Sequence, residues 1–265
     1  MALLLLSNMK EIVREFEVSR RPCFFFDLDG TLIPFADDPT HVAVPAPTLS
    51  ALRTLLVRGA GVAVISGRSM EDLSRLLPIG GLTLAADFGL RIWGPTLDYC
   101  HQDAEWSGAD MEESMELLSH RLAAHPCSFV ERKEHSFAVH YRRCRDDVRR
   151  QVLREVNEVI SGFRGLRTLR GRLCVEVFPA IDWSKARAAR LIEKSMSADL
   201  CLYCGDDYSD ETAIRQLTGY LTVRVTKHPE HTRAGYYVTT PGAVIRFVEA
   251  ISMKLPARSG SSSVQ

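Results

Sequence analysis

The stretch RPCFFFDLDGTLIP, Arg21 to Pro34, runs Cys23, Phe24, Phe25 and Phe26 without a polar interruption, then ends the apolar run with Asp27 and Asp29, followed by Gly30 and Thr31. A short continuous apolar run is what a strand buried on both faces requires, as in the middle of a parallel sheet. Comparable runs recur at GVAVIS (Gly61 to Ser66), LTLAA (Leu82 to Ala86), DLCLYC (Asp199 to Cys204) and LTVRV (Leu221 to Val225). Helical segments fall between most of them: APTLSALRTLLVRG, SMEDLSRLLPIG, SKARAARLIEKSM and DETAIRQL. Two of these end in a glycine suited to a helix cap. The alternation predicts an α/β fold, a doubly wound parallel sheet of Rossmann-like type.

The middle third breaks this rhythm. Met111, Met115, Leu118 and Leu122 have helical spacing, as do Val148, Val152, Val156 and Ile160, and each helix is followed by two strands, the last ending in RLCVEVF. The pattern predicts an inserted α+β domain at 105–179 in a discontinuous core, 1–104 and 180–255, with a disordered tail at 256–265.

With 265 residues, 46% of them hydrophobic, the chain can bury a large core. Lys plus Arg and Asp plus Glu are equal at 33 each, so no net field favours nucleic acid or an anionic membrane, and the partner is expected to be a small molecule. The opening MALLLLS lacks a basic segment before its leucines and is too short to span a bilayer, so with NMKEIVREF it reads as an amphipathic helix. Seven scattered cysteines, an odd number, do not suggest a disulfide framework, and a reducing cytoplasm and a monomeric chain are expected. Cys201 and Cys204 form a CxxC, but three apart on a strand they point to opposite faces and read as core.

In open α/β sheets ligands gather at the carboxyl ends of the strands, and there the sequence puts its unusual polar residues. Asp27 and Asp29 close the first strand, Ser66, Gly67 and Arg68 the second, Gly205, Asp206 and Asp207 the fourth, and Lys185 opens the helix before that strand. Asp27 and Asp29, two apart on extended chain, leave on one side, and Gly30 permits a tight turn there. Converging carboxylates need a cation between them, and an all-oxygen site including Asp206 suits Mg²⁺. Ser66 and Lys185 supply a hydroxyl and a positive charge to hold a phosphoryl group. Nucleophile, second acid, metal and phosphate clamp make a set for phosphoryl transfer through an aspartyl-phosphate intermediate. Each motif alone is common in turns and loops, whereas their order along the chain is not.

DLDGTL, SGR, Lys185 and GDDYSDE together resemble the four motifs of the haloacid dehalogenase superfamily of phosphotransferases, over residues 21–104 and 180–250. The resemblance implies Asp27 as nucleophile and Asp29 as the acid that protonates the leaving alcohol and then activates water. It implies Mg²⁺ ligands at Asp27, the Asp29 carbonyl and Asp206, with Asp207 and Asp210 behind them. Gly30, Thr31, Ser66, Gly67 and Lys185 would surround the transferring phosphate, and Asp29 speaks for phosphate ester chemistry.

The inserted domain bears on which ester. In FVERKEHSFAVHYRR a hairpin turning near Glu134 and His135 puts Ser136, His140 and Arg142 on one face and Phe137, Val139 and Tyr141 on the other. With Glu131, Lys133, Arg172 and Glu176 the polar face is rich in the paired charges that recognise vicinal hydroxyls. ERKEHSFAVHYR followed by EVFP resembles the trehalose-6-phosphate phosphatases. That resemblance implies Glu131, Lys133 and Glu176 as sugar ligands, His140 and Arg142 organising the cap face, and Arg68 reaching toward the ligand. Phe88, Phe178 and Ala186 depart from the pattern, which usually has a His, a polar residue and a Gly there. The expected activity is hydrolysis of trehalose 6-phosphate. The alternatives are a phosphatase for sucrose phosphate or a glycosylated phosphoglycerate, a hexose phosphomutase, and a non-catalytic sugar-phosphate-binding domain regulating a partner synthase.

Overall fold

Every residue of Pro22–Phe26 is buried in the computed structural model of the chain, which describes residues 2–36, 41–104, 108–171 and 173–255. This strand, β2, follows β1 (Leu3–Leu4) and α1 (Met9–Val18). The chain continues through α2 (Ala46–Val57), β3 (Gly61–Ile65), α3 (Met70–Leu76), β4 (Thr83–Ala86), β5 (Arg91–Trp93) and β6 (Asp98–Cys100). An α+β layer comes next: α4 (Gly108–Leu122), β7 (Phe129–Arg132), β8 (Phe137–His140), α5 (Asp146–Ile160), β9 (Leu166–Arg170) and β10 (Cys174–Pro179). The first layer then resumes with α6 (Lys185–Met196), β11 (Leu200–Gly205), α7 (Tyr208–Gln216), β12 (Leu221–Val225), β13 (Tyr236–Val238) and α8 (Pro241–Ser252).

The large sheet has the order β1-β13-β12-β11-β2-β3-β4-β5-β6, parallel from β1 through β4, with β5 and β6 antiparallel at the edge. β2 pairs with β11 on one side and β3 on the other, which explains why its side chains are apolar on both faces. Phe24 and Phe26 enter one core cluster with residues of α1, α2 and α8, whereas Cys23 and Phe25 enter the other, under α6 and α7. Cys201 and Cys204 likewise fall into opposite clusters, as the strand reading requires.

The inserted layer is a four-stranded antiparallel sheet in the order β7-β8-β10-β9. Leu118, Leu122, Val152, Val156 and Ile160 from α4 and α5 cover Phe137, Val139 and Tyr141 in a core of its own. The opposite face of β8, bearing Ser136 and His140, is turned toward the large sheet's carboxyl edge.

Four features differ from the sequence reading. The leucine run is not one α-helix: Leu3 and Leu4 pair in parallel with Tyr236 and Tyr237 at the sheet edge, Leu5 and Leu6 enter a 3-10 turn with Leu5 fully buried, and the α-helix begins only at Met9. The short strands β1, β5, β6 and β13, too brief for a periodicity to emerge, widen the sheet, and α8 adds a helix that packs against α2. The SMEDLSRLLPIG helix stops at Leu76, ahead of Pro78 and its glycines. Cys127 and Cys144 form a disulfide joining the ends of two loops of the inserted layer, a pairing that the odd cysteine count gave no reason to expect. The expected tail at 256–265 lies outside the described residues. Among the described residues no helix is long and apolar enough to cross a membrane.

Candidate active site

The Asp27 backbone N–H donates to the Cys204 carbonyl at 2.9 Å, so the ladder between β2 and β11 extends to the first carboxylate. The chain then turns back: the Leu32 N–H reaches the Leu28 carbonyl at 2.9 Å and the Gly30 N–H reaches that of Ile33 at 2.8 Å. Gly30 has φ of +89°, and a Cβ there would stand 2.2 Å from Asp206 Oδ2. Both the backbone angle and the approach of Asp206 therefore require glycine.

Lys185, the first residue of α6, is 3% exposed. Its Nζ donates to Asp27 Oδ1 at 2.7 Å and to Asp210 Oδ1 at 2.8 Å. Asp210 also accepts from the Tyr203 hydroxyl at 2.7 Å and from the Asp206 and Asp207 N–H groups at 3.0 and 3.1 Å. Burial would raise the Asp210 carboxyl, but Lys185, Tyr203 and these N–H groups hold it below the usual carboxylate range. Asp27 is pushed well up, by burial against the pull of Lys185 and then by repulsion from Asp210 and Asp206. Asp206 is pushed up to about 7 by burial and by Asp210 and Asp207. Asp207 caps α7: its carboxylate accepts from the Asp210 N–H at 3.0 Å and the Ser209 hydroxyl at 2.6 Å.

Oxygens of Asp27, Asp206 and Asp210 lie within 4.8 Å of one another. Lys185 neutralises only part of this charge, and an all-carboxylate donor set fits a hard divalent cation. Asp210 is already bonded to four donors. Asp27 and Asp206 are therefore the better candidate ligands.

Asp29 is held by Arg68 through two bonds, Nε to Oδ2 at 2.6 Å and Nη2 to Oδ1 at 2.7 Å. Arg68 lines the cleft, but its guanidinium is committed to Asp29 and Asp72 rather than extended toward a ligand. Ser66 is buried with its hydroxyl accepting from the Arg68 N–H at 3.3 Å. Gly30 and Thr31 do not line the cleft; the Thr31 hydroxyl acts through Asp206, 3.4 Å away.

Above these groups the inserted layer forms a roof. Glu131, Lys133, His140, Arg142 and Glu176 line the same cleft as Asp27, Asp29 and Lys185. Lys133 Nζ donates to Glu176 Oε2 and to the Gly67 carbonyl, both at 2.7 Å, so one ammonium ties the roof to the loop after β3. His140 Nε2 meets Glu131 Oε2 at 2.6 Å, and its ring stacks on Phe129 with centroids 4.6 Å apart. Arg142 donates to the Ala36 carbonyl and lies 3.9 Å over the Phe35 ring. Ser136, expected among the sugar ligands, instead donates to the Asp87 carboxylate and serves as a joint between the layers. Arg172 lies outside the described residues.

Asp87 went unread in the sequence as a site residue, whereas Phe88 stands out there as a departure from the family pattern where a disaccharide could touch the protein. They follow β4 with φ of +47° and +58°, left-handed angles that cost a non-glycine residue about 1 kcal/mol or more each. Asp87 is fully buried and also accepts from the His135 N–H at 3.3 Å. Its place at the end of a buried strand was the available signal, the same one that marks Asp27. Phe88 and Phe178, two of the positions departing from the family pattern, touch each other with ring centroids 5.8 Å apart. Ala186, the third, packs in the core cluster beneath α6.

The chain was compared with known proteins. The family model for trehalose-phosphatase matches residues 25–241. The probable trehalose-phosphate phosphatase 3 of Oryza sativa subsp. japonica is 31% identical over 251 residues, 86% of this chain and 68% of that protein. The trehalose-phosphate phosphatase of Mycobacterium marinum is 30% identical over 250 residues, 89% of this chain and 62% of that protein. The chain thus spans 62 to 68% of the length of these curated relatives. The C-terminal domain of a Candida albicans trehalose-6-phosphate phosphatase superposes with a TM-score of 0.84 at 20% identity, covering 96% of this chain and 98% of that one.

Proposed function

The chain belongs to the trehalose-phosphatase family, and we propose that it is a Mg²⁺-dependent phosphatase converting trehalose 6-phosphate to trehalose and inorganic phosphate. The observation that carries this reading is the meeting, in one cleft, of the Asp27–Lys185 pair and Asp206 below with Glu131, Lys133 and Glu176 above. In this reading residues 105–179 are the cap and residues 1–104 and 180–255 the core.

A carboxylate oxygen of Asp27 attacks phosphorus, the bond from phosphorus to the sugar oxygen breaks, and Asp29 gives that oxygen its proton. Lys185 keeps the attacking carboxylate ionised and balances charge on the transferring group, and the Ser66 hydroxyl donates to a phosphoryl oxygen. Asp29, now a carboxylate, takes a proton from water, whose oxygen attacks the phosphorus, and the aspartyl bond breaks to return Asp27 and release phosphate. Arg68 holds Asp29 in place between its two tasks. Asp27, the Asp29 carbonyl and Asp206 would hold Mg²⁺, which when bound offsets negative charge on the phosphoryl oxygens. Glu131, Lys133, His140 and Glu176 bind sugar hydroxyls, and the roofed cleft keeps bulk water from the phosphoryl group.

The test is phosphate release from trehalose 6-phosphate, sucrose 6-phosphate and glucose 6-phosphate with and without Mg²⁺, with Asp27→Asn as control. Metal-dependent turnover preferring trehalose 6-phosphate by about a hundredfold in kcat/KM, equivalent to about 2.7 kcal/mol, supports the reading. Equal turnover of all three leaves a phosphatase and overturns the substrate.

A further inference from the structure

The cleft holds one apolar ring whose place the hydrolytic chemistry does not explain. Phe88 lines it among Asp29, Arg68, Lys133 and Lys185, with its ring centroid 5.9 Å from the Lys185 ammonium that lies over it. Its backbone is left-handed, yet held on several sides: the Phe88 N–H donates to the Ser66 carbonyl at 2.9 Å, and the Asp87 N–H to that of Arg68 at 3.0 Å. Strain kept in this way marks a side chain whose position matters. The ring tip rests on Gly67, where a Cβ would stand only 2.7 Å from Phe88 Cζ. Phe178 at the end of β10 backs it, and Phe178 carries the Arg167 guanidinium 4.3 Å from its own centroid. Arg167 in turn donates to the Trp183 carbonyl at 2.7 Å, so the stack is anchored in both layers.

This ring adjoins two polar regions. The Lys185 ammonium lies over it, and Gly67, against which its tip rests, carries the Lys133 ammonium on its carbonyl. A ligand with its phosphoryl group by Lys185 and hydroxyls by Lys133 would lie beside the ring. An aromatic face offers no hydrogen bond to a hydroxyl but attracts the polarised C–H groups on one face of a pyranose. We propose that Phe88 is a specificity-determining residue, an apolar platform for the pyranose that carries the phosphate ester, with Phe178 as its positioning residue. The substrate class this selects is the phosphate esters of pyranoses, against phosphate esters lacking a ring. The proposal rests on the phosphatase reading above.

The test is kcat/KM for trehalose 6-phosphate and for acetyl phosphate, a ringless phosphoryl donor, in the wild type and in Phe88→Ala, Phe88→Leu, Phe88→Tyr and Phe178→Leu, each checked for folding by thermal melting. The ratio of the two constants should fall about tenfold in Phe88→Ala and about fivefold in Phe88→Leu, mainly through KM, with a smaller fall in Phe178→Leu and recovery in Phe88→Tyr. A parallel loss on both substrates in the folded Leu variant would assign Phe88 a purely structural role and overturn the proposal. So would a ratio unchanged within twofold. If the wild type prefers another sugar phosphate, the substrate assignment fails, and the same ratio taken with the preferred ester decides on Phe88. No turnover of any ester or of acetyl phosphate overturns both.

Discussion

Asp27 and Asp210 share a single ammonium, and the two carboxylates differ in what else they have. Asp210 is satisfied by three further donors, whereas Asp27 faces Asp206 with Lys185 as its side-chain cation. Without metal, Asp27 is therefore a costly anion to bury, and its neutral isostere should relieve the repulsion. Asp27→Asn is expected to abolish phosphate release, a loss of at least about a thousandfold, while melting in EDTA at or above the wild-type temperature. Added Mg²⁺ should raise the melting temperature of the wild type and much less that of the variant. A variant that melts lower in EDTA would mean that the pair with Lys185 outweighs the repulsion. Residues of this kind were legible in the sequence because an acid at the end of a buried strand is chemically out of place. Asp87 obeys the same rule, but no neighbouring motif drew attention to it, and left-handed backbone at Asp87 and Phe88 has no signature in residue types that avoid it. The pairing of Arg68 with Asp29, 39 positions apart, likewise follows only from how two loops meet.

Elements present the acids, so their ends carry the site's precision. α7 begins in a capping box in which Asp207 and Asp210 bond reciprocally to backbone N–H groups, and this fixes the turn that carries Asp206. Asp207→Ala should lower stability by about 1 kcal/mol and weaken Mg²⁺ binding through Asp206, read by chemical denaturation and by metal titration of the melting temperature. Unchanged metal affinity would separate the cap from the site. At the other end of the sheet, Asp199 ahead of β11 accepts from the Ser19 hydroxyl and from the Arg20 and Arg21 N–H groups at 2.8 and 2.9 Å, joining the end of α1 to the sheet. Its slight burial raises the carboxyl, but the bonds from Ser19, Arg21 and Arg20 outweigh that and hold it below the usual carboxylate range. A depressed carboxyl stabilises the fold above its unfolded value and ceases to do so as pH falls through the folded one. The stability difference between the wild type and Asp199→Asn should accordingly be full at neutral pH and be lost in acid as pH falls through the depressed folded value; a difference independent of pH would exclude charge as its source. The long elements were readable because burial on both faces, or a helical stripe, leaves a pattern over many residues. Leu3 and Leu4 were misread because a pair of residues at a sheet edge has no period, and their partners Tyr236 and Tyr237 lie at the far end of the chain.

At the scale of the whole molecule the two layers are sewn together around the cleft by contacts that no single segment predicts. Lys133 reaches Gly67, Ser136 reaches Asp87, Arg142 reaches Ala36 and Arg167 reaches Trp183. Each pairs a group of the inserted layer with the large-sheet layer or the chain leading back into it, so a separation of the two layers must release them. The Asp87 joint is the most deeply buried, and removing its hydroxyl partner leaves the carboxylate to the His135 N–H. Burial raises the Asp87 carboxyl despite Lys133 and Ser136, so without Ser136 the price of keeping it charged in the closed arrangement increases. The closed arrangement should therefore lose about 1 to 2 kcal/mol relative to an opened one. Ser136→Ala is expected to speed hydrogen exchange at the His135 amide by about fivefold to thirtyfold, with exchange in β2 and β11 unchanged because those strands belong to the other core. Faster exchange throughout both layers would instead mean that Asp87 supports global stability rather than the joint, and unchanged exchange at His135 would mean that the remaining ties hold the layers closed without it.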